Sequence, residues 1–323
     1  MRKLQRLLAL AGLAMATGAL GQNYPTKPIY LYIPFAAGGP TDTLGRNLAQ
    51  VMGRALKGQL IVENVVGAGG TIAVARAAKA APDGYTVLLH HIGMSTAPAL
   101  YRTLTFDPLK DFEYIGEVAD VPMTMIARGN FPAANFKEFL AYIKANKDKV
   151  TYANAGLGAA SHLCGLLFMT AIQTDFTTVP YKGTAPAMND LLGGQVDFMC
   201  DQTTNTTGQI QGGKVKAFGV TSKKRVPSLP NIPTLDEQGL KGFEVVVWHG
   251  LYVPKGTPKP VVDRLNAALQ DAIKDADFKT NLARLGAEPV SADRARPEPL
   301  HKFLQSEIAK WGPIIKKAGQ YAD

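Results

Sequence analysis

Three stretches of this chain carry residue types suited to holding an anion with backbone amides and hydroxyls. The first is Pro34-Phe35-Ala36-Ala37-Gly38-Gly39-Pro40-Thr41-Asp42-Thr43. The apolar run Ile29 to Ile33 precedes it, and Leu44, Leu48, Met52 and Leu56 follow on one helical face. The pattern predicts a strand, a glycine-rich turn and a helix start. The first amides of a helix lack internal partners and carry the positive end of its dipole. Glycines let an anion approach them closely. The expected contacts are Phe35, Ala36, Ala37, Gly38 and the Thr41 hydroxyl, some through water. Asp42 would repel an anion if it pointed inward, so it is expected to cap the turn or hold a water.

The second stretch, Asn154-Ala155-Gly156-Leu157-Gly158-Ala159-Ala160-Ser161-His162, repeats this physics. Amides of Ala159, Ala160 and Ser161 would face a second anionic group, beside Asn154 and Gly158. Ser161 could instead be only an N-cap, and His162 could be buried or bonded to backbone. The third, Lys182-Gly183-Thr184, follows a strand and opens a helix, adding amides of Gly183 and Thr184. Asp201-Gln202-Thr203 ends another strand and would line the cleft floor. His90-His91-Ile92-Gly93-Met94-Ser95 follows a third strand. Strand alternation predicts that His90 and His91 face opposite sides. His91 and Ser95 are counted as ligand contacts, one histidine bonding a carboxylate or stacking on a ring.

Catalytic patterns are missing. No G-x-S-x-G elbow and no H-E-x-x-H occurs, and Ser161 and His162 are too close in sequence for a triad. An exported α/β hydrolase is thus the weaker alternative to binding. Gly67-Ala68-Gly69-Gly70 lacks dinucleotide spacing and reads as tight packing of the next helix on the sheet. His162, His249 and His301 are scattered without metal-ligand spacing, so neither metal nor cofactor is expected.

The elements that would position these stretches alternate. Strands are predicted at 29–33, 60–64, 86–90 and 114–119, with helices at 41–56 and 71–80. A second unit follows: helix 136–146, strand 150–154, helix 161–172, strand 176–180, helix 184–192, then strands 195–200 and 215–221. A long strand at 243–253 and helices at 258–274 and 299–317 complete the chain. This is an α/β class with sheets covered on both faces. Extended segments 114–127 and 243–253 flank the middle unit. If both cross, residues 123–246 are inserted into a first domain of 22–122 plus 247–323, and a hinged cleft lies between them.

The N-terminus reads as an export leader, residues 1–21. Arg2, Lys3 and Arg6 precede an apolar run, and cleavage is expected after Gly21. The run is short for a membrane anchor, and no later segment has ~18 consecutive apolar residues. The formal charge of +9 becomes +6 without the leader's three cations. Lys223-Lys224-Arg225 and Lys316-Lys317 lack interleaved aromatics, which argues against nucleic-acid binding. Cys164 and Cys200 are the chain's two cysteines. They read as two free core thiols, with a disulfide as the alternative in an oxidising compartment.

The first loop, together with Glu63-Asn64, Tyr101, Phe106-Asp107-Pro108, Tyr152-Ala153-Asn154-Ala155-Gly156, Val179-Pro180-Tyr181-Lys182-Gly183, Asp190 to Asp197, Ile232-Pro233-Thr234 and Pro254-Lys255-Gly256-Thr257-Pro258, resembles the Bug-type solute receptors of tripartite tricarboxylate transporters. The match runs from about Tyr24 to the C-terminus. The resemblance implies a type II periplasmic-binding-protein fold, a small carboxylate in the cleft and delivery to membrane permease subunits by a monomeric, non-catalytic protein. Relatives more often carry small polar residues at His90-His91, and bulkier first loops than Ala36-Ala37. These departures, with Phe35, tilt the expectation toward an aromatic dicarboxylate such as terephthalate over a citrate-like or amino-acid ligand. A sensor feeding a signalling partner has the same sequence signature.

Overall fold

The computed structural model describes residues 24–319 and 321–322; the leader and its cleavage point lie outside the described residues. The chain first lays down β1 (Ile29–Ile33), α1 (Pro40–Leu56), β2 (Leu60–Asn64), α2 (Thr71–Ala78), β3 (Thr86–His91), α3 (Gly93–Leu100) and the long β4 (Phe112–Arg128). Then come α4 (Phe136–Ala145), β5 (Thr151–Asn154), α5 (Ala160–Ile172), β6 (Thr177–Pro180), α6 (Thr184–Leu192), β7 (Phe198–Gln202), α7 (Thr203–Gln211) and β8 (Val215–Val220). The last elements are β9 (Val246–Pro254), α8 (Lys259–Ala272), α9 (Ala276–Arg284), β10 (Glu288–Pro289) and α10 (Pro297–Ala318).

The strands follow the order β2-β1-β3-β9-β4-β7-β5-β6. β1 runs parallel to β2 and β3, and β5 runs parallel to β6 and β7. Ile29, Leu31 and Ile33 are wholly buried on one face of β1, while Tyr30 on the other face is exposed, so this strand is covered fully on one side only. The 17-residue β4 joins two sheets because it changes partners midway. Its residues 112–122 pair with β9, while Met123–Ala127 pair with β7 and 124–128 pair with β8. The chain returns at Val245, whose N–H donates to the Thr221 carbonyl just before β9 begins. The first lobe is cored by aliphatic side chains together with Phe112 and Tyr114, both packed edge-on to Tyr252. The second has a cluster of rings, with Phe139 stacked on Phe218 at 4.3 Å and edge-on to Phe198 at 5.4 Å.

Two expectations are corrected here. Cys164 and Cys200 are not free thiols; they form a disulfide, with Cα atoms 6.1 Å apart. α5 lies across β7, and this sets Cys164 directly over Cys200, which sits inside the strand rather than at its end. Three helices also occupy segments where the sequence reading placed none. α3 contains Pro98, α7 is Thr- and Gln-rich, and α9 is a short amphipathic helix capped by the Asp275 side chain.

Candidate functional site

The parallel strands of each unit end at one seam, the place where open α/β sheets hold ligands. β1 leads into the loop 34–39, β2 into 65–70 and β3 into α3. From the other lobe, β5 leads into 155–159, β6 into 181–183 and β7 into α7. α1, α3, α5 and α6 therefore all begin at this seam.

The first loop is pinned by side chains. The Asn64 amide donates to the Phe35 carbonyl and to Asp42 Oδ1, both at 2.9 Å. Asp42 Oδ2 accepts from the Gly38 N–H at 2.9 Å and from Arg46 Nε at 2.8 Å. Burial works against the Asp42 charge, but the bonds from Arg46, Gly38 and Asn64 outweigh it and hold the carboxyl below its ordinary range. Asp42 thus faces its own loop. The helix starts one residue earlier than expected, with Gly39 as N-cap and Thr41 one residue inside. The buried Thr41 hydroxyl lies 3.4 Å from His249 Nε2. Ala37 and Gly38, at the tip of the loop, are exposed.

His90 and His91 do not point to opposite faces. β3 ends at His91, the chain bends into α3, and both rings gather on Phe35. His91 stacks on Phe35 at 4.7 Å, and His90 meets that ring edge-on at 6.0 Å. The bend is held by ring nitrogens: His90 Nδ1 accepts from the His91 N–H, and His91 Nδ1 from the Gly93 N–H. His249 is not scattered either. It pairs in register with His91 across β3 and β9, with ring centroids 5.8 Å apart. Burial pushes all three histidines down, His91 to about 3, so the cluster is neutral. Ser95 Oγ donates to the Ile92 carbonyl. Among the described residues no group of three or more His, Cys, Asp or Glu could hold a metal ion.

On the other lobe Ser161 is one residue inside α5, and Ala159 is its N-cap. Ser161 Oγ accepts from the Ala155 N–H at 2.8 Å, and His162 Nδ1 from the Gly158 N–H at 3.3 Å. Asn154 Oδ1 accepts from Gly156, while its buried Nδ2 has no partner among the described residues. Asp201 is buried and makes no ion pair among the described residues. It accepts from Thr184 Oγ1 at 3.3 Å and Asn205 Nδ2 at 2.7 Å, and burial pushes its carboxyl up to about 7.

The two lobes touch along the seam. Phe35 packs with Ala155 and Ala159. A Cβ on Gly183 would lie 2.8 Å from the Ala36 nitrogen. The Thr96 hydroxyl lies 3.4 Å from the Gly158 carbonyl, and the Tyr101 hydroxyl lies 2.7 Å from the Ala68 and 3.0 Å from the Leu157 carbonyl. Gly69 adopts φ +58°, and a Cβ there would sit 1.9 Å from the Leu157 oxygen. The Gly67–Gly70 run therefore serves the lobe contact, in addition to the helix behind it. Sequence reasoning missed this role for Gly69 and Tyr101, and missed His249. A cavity of about 250 Å³ opens in the seam, walled by Phe35, Gly67–Gly70, Tyr101, Gly156, Tyr181, Lys182 and Ala322.

The sequence profile of the tripartite tricarboxylate transporter family receptor matches residues 44–320. The chain belongs to this receptor family. The receptor is 46% identical over 298 residues to a UPF0065 protein of Agrobacterium vitis, covering 92% of this chain and 86% of the relative. It is also similar to the solved periplasmic binding protein BugD, with 55% identity, TM-score 0.90, and coverage of 92% of this chain and 99% of that one. MatC of Rhodopseudomonas palustris, solved with bound malate, shows 39% identity and TM-score 0.87 over 90% of this receptor and all of MatC. The receptor has the two-domain binding-protein fold of these structures.

Proposed function

We propose that this receptor captures a small dicarboxylate in the periplasm by closing its two lobes and presents it to the permease subunits of a tripartite tricarboxylate transporter. The observation that carries the reading is the convergence of the α1, α5 and α6 N-termini, from both lobes, on one seam with a cavity. Each helix start offers unpaired amides and a positive dipole end to one carboxylate. In this reading, Ala36, Thr41 and Asn64-pinned Phe35 serve one carboxylate, and Asn154 Nδ2, Ala160, Ser161, Gly183 and Thr184 serve the other. The hinge lies where β4 and the return at Val245–Val246 change partners, which gives lobes of 22–122 plus 247–323 and 123–246. The bound molecule in MatC is itself a dicarboxylate.

Phe35, Tyr101 and Tyr181 line the cavity with rings. This favours a planar aromatic dicarboxylate such as terephthalate as a second ligand class. A thermal-shift panel of malate, succinate, citrate, aspartate and terephthalate tests the reading. A ligand at 100 times its Kd stabilises the native state by ~2.7 kcal/mol. A raised Tm with at least one carboxylate supports capture; no shift with any of them contradicts it. Co-purification with permease subunits, against a signalling protein, separates transport from sensing.

A further inference from the structure

We infer that the segment after α10, Tyr321-Ala322, is a third wall of the ligand cavity and limits the length of the ligand. This rests on the proposed capture of a dicarboxylate in the seam and goes beyond it, because a two-lobe clamp needs no contribution from the end of the chain. Ala322 lines the same cavity as Phe35 and Lys182. It is tied there by its backbone: the Ala322 N–H donates to the Leu100 carbonyl at 2.9 Å, where α3 ends. Beside it the Arg102 guanidinium lies 4.3 Å from the centre of the Tyr321 ring. The neighbouring Tyr101 hydroxyl is the group that reaches both Ala68 and the other lobe's Leu157. Residues 100–102 thus hold the segment on one side and touch the opposite lobe on the other.

The geometry has a consequence for selection. Backbone amides at the helix starts hold the two carboxylates at a set separation, so a longer chain must bow out between its fixed ends. The wall at Ala322 limits ligand length by occupying space of the adjoining cavity into which the chain would bow. A misfit of one methylene in such a pocket changes binding by about tenfold or more.

The test is calorimetry with succinate, glutarate, adipate and suberate on three proteins: the full chain, a chain ending at Gly319, and Ala322→Trp. Circular dichroism and Tm establish that each is folded. The expected result is a shift of the preferred length upward by one or more methylenes in the shortened chain, and downward in Ala322→Trp. Identical length profiles in all three overturn the inference and leave the receptor reading intact. Binding of no dicarboxylate to the full chain overturns the receptor reading, and the inference falls with it.

Discussion

Gly69→Ala separates closure of the lobes from stability of the fold. The residue sits at φ +58°, where an alanine costs roughly 1–2 kcal/mol whether the cleft is open or shut. The added Cβ also comes within 2.8 Å of the Tyr101 hydroxyl of its own lobe, a side-chain end that can turn aside, but its severe clash, with the Leu157 oxygen at 1.9 Å, is with the other lobe and arises only when the cleft is shut. Carbon and oxygen normally approach to ~3.3 Å, so the seam must part by roughly 1.4 Å. That displacement stretches the 3.0 Å contact between Tyr101 and Leu157 beyond hydrogen-bond range. The lost bond and loosened packing together disfavour closure by at least ~2 kcal/mol, about 30-fold in affinity. Gly213→Ala is the control, since Gly213 has φ +65° with open space around its Cβ position. Calorimetry against malate and a thermal melt are run on both variants. Both should lose a similar few degrees of Tm, and only Gly69→Ala should lose affinity. Wild-type affinity in Gly69→Ala would show that the seam contact plays no part in binding.

Other consequences follow from buried groups. Asp201 has a raised pKa, so the folded protein keeps a proton that the unfolded chain releases between about pH 4 and 7. Stability from this group is therefore present below that window and lost as pH rises through it. Asp201→Asn should stabilise the protein by roughly 2–4 kcal/mol at pH 8 and hardly at all at pH 4, read by urea melts; equal effects at both pH values contradict the assignment. Replacing both Cys164 and Cys200 with serine removes a cross-link spanning 36 residues, which chain entropy values at about 4 kcal/mol. A reductant should lower the Tm of the wild type and leave the double variant unchanged. Asp42→Ala removes the acceptor for Gly38, Arg46 and Asn64, so the first loop loosens. The expected cost is ~1–3 kcal/mol in stability with about a tenfold loss of affinity, and an unchanged Kd would mean that the loop needs no pin.

Local physics made much of the first lobe legible. Ile29–Ile33 and Leu60–Asn64 are apolar runs bounded by turn residues, and the structure has strands at those positions. The glycine-to-helix transitions at Gly39, Ala159 and Gly183 were readable for the same reason. What escaped depends on contacts distant in sequence. His249 joins His91 only through strand register, so five histidines along a line gave no sign of the cluster. The separation of His90 from His91 followed from alternation, which is undone at these last two residues of β3, where the His90 ring turns onto the His91 N–H and the chain bends into α3. The disulfide depends on the crossing of α5 over β7, which no spacing rule encodes. α7 escaped because Thr203–Gln211 carries almost no apolar face. Gly69 looked like a helix-packing residue because its partner, Leu157, lies on the inserted lobe.

Opposed helix starts holding a carboxylated solute across the seam are tested most directly by a crystal structure of the full chain grown with the strongest stabiliser from the panel. The density should show one carboxylate within hydrogen-bond distance of residues 35–41 and the other within reach of residues 154–161 or 183–184. A molecule bound on one lobe alone, or seated away from the seam, would contradict the account.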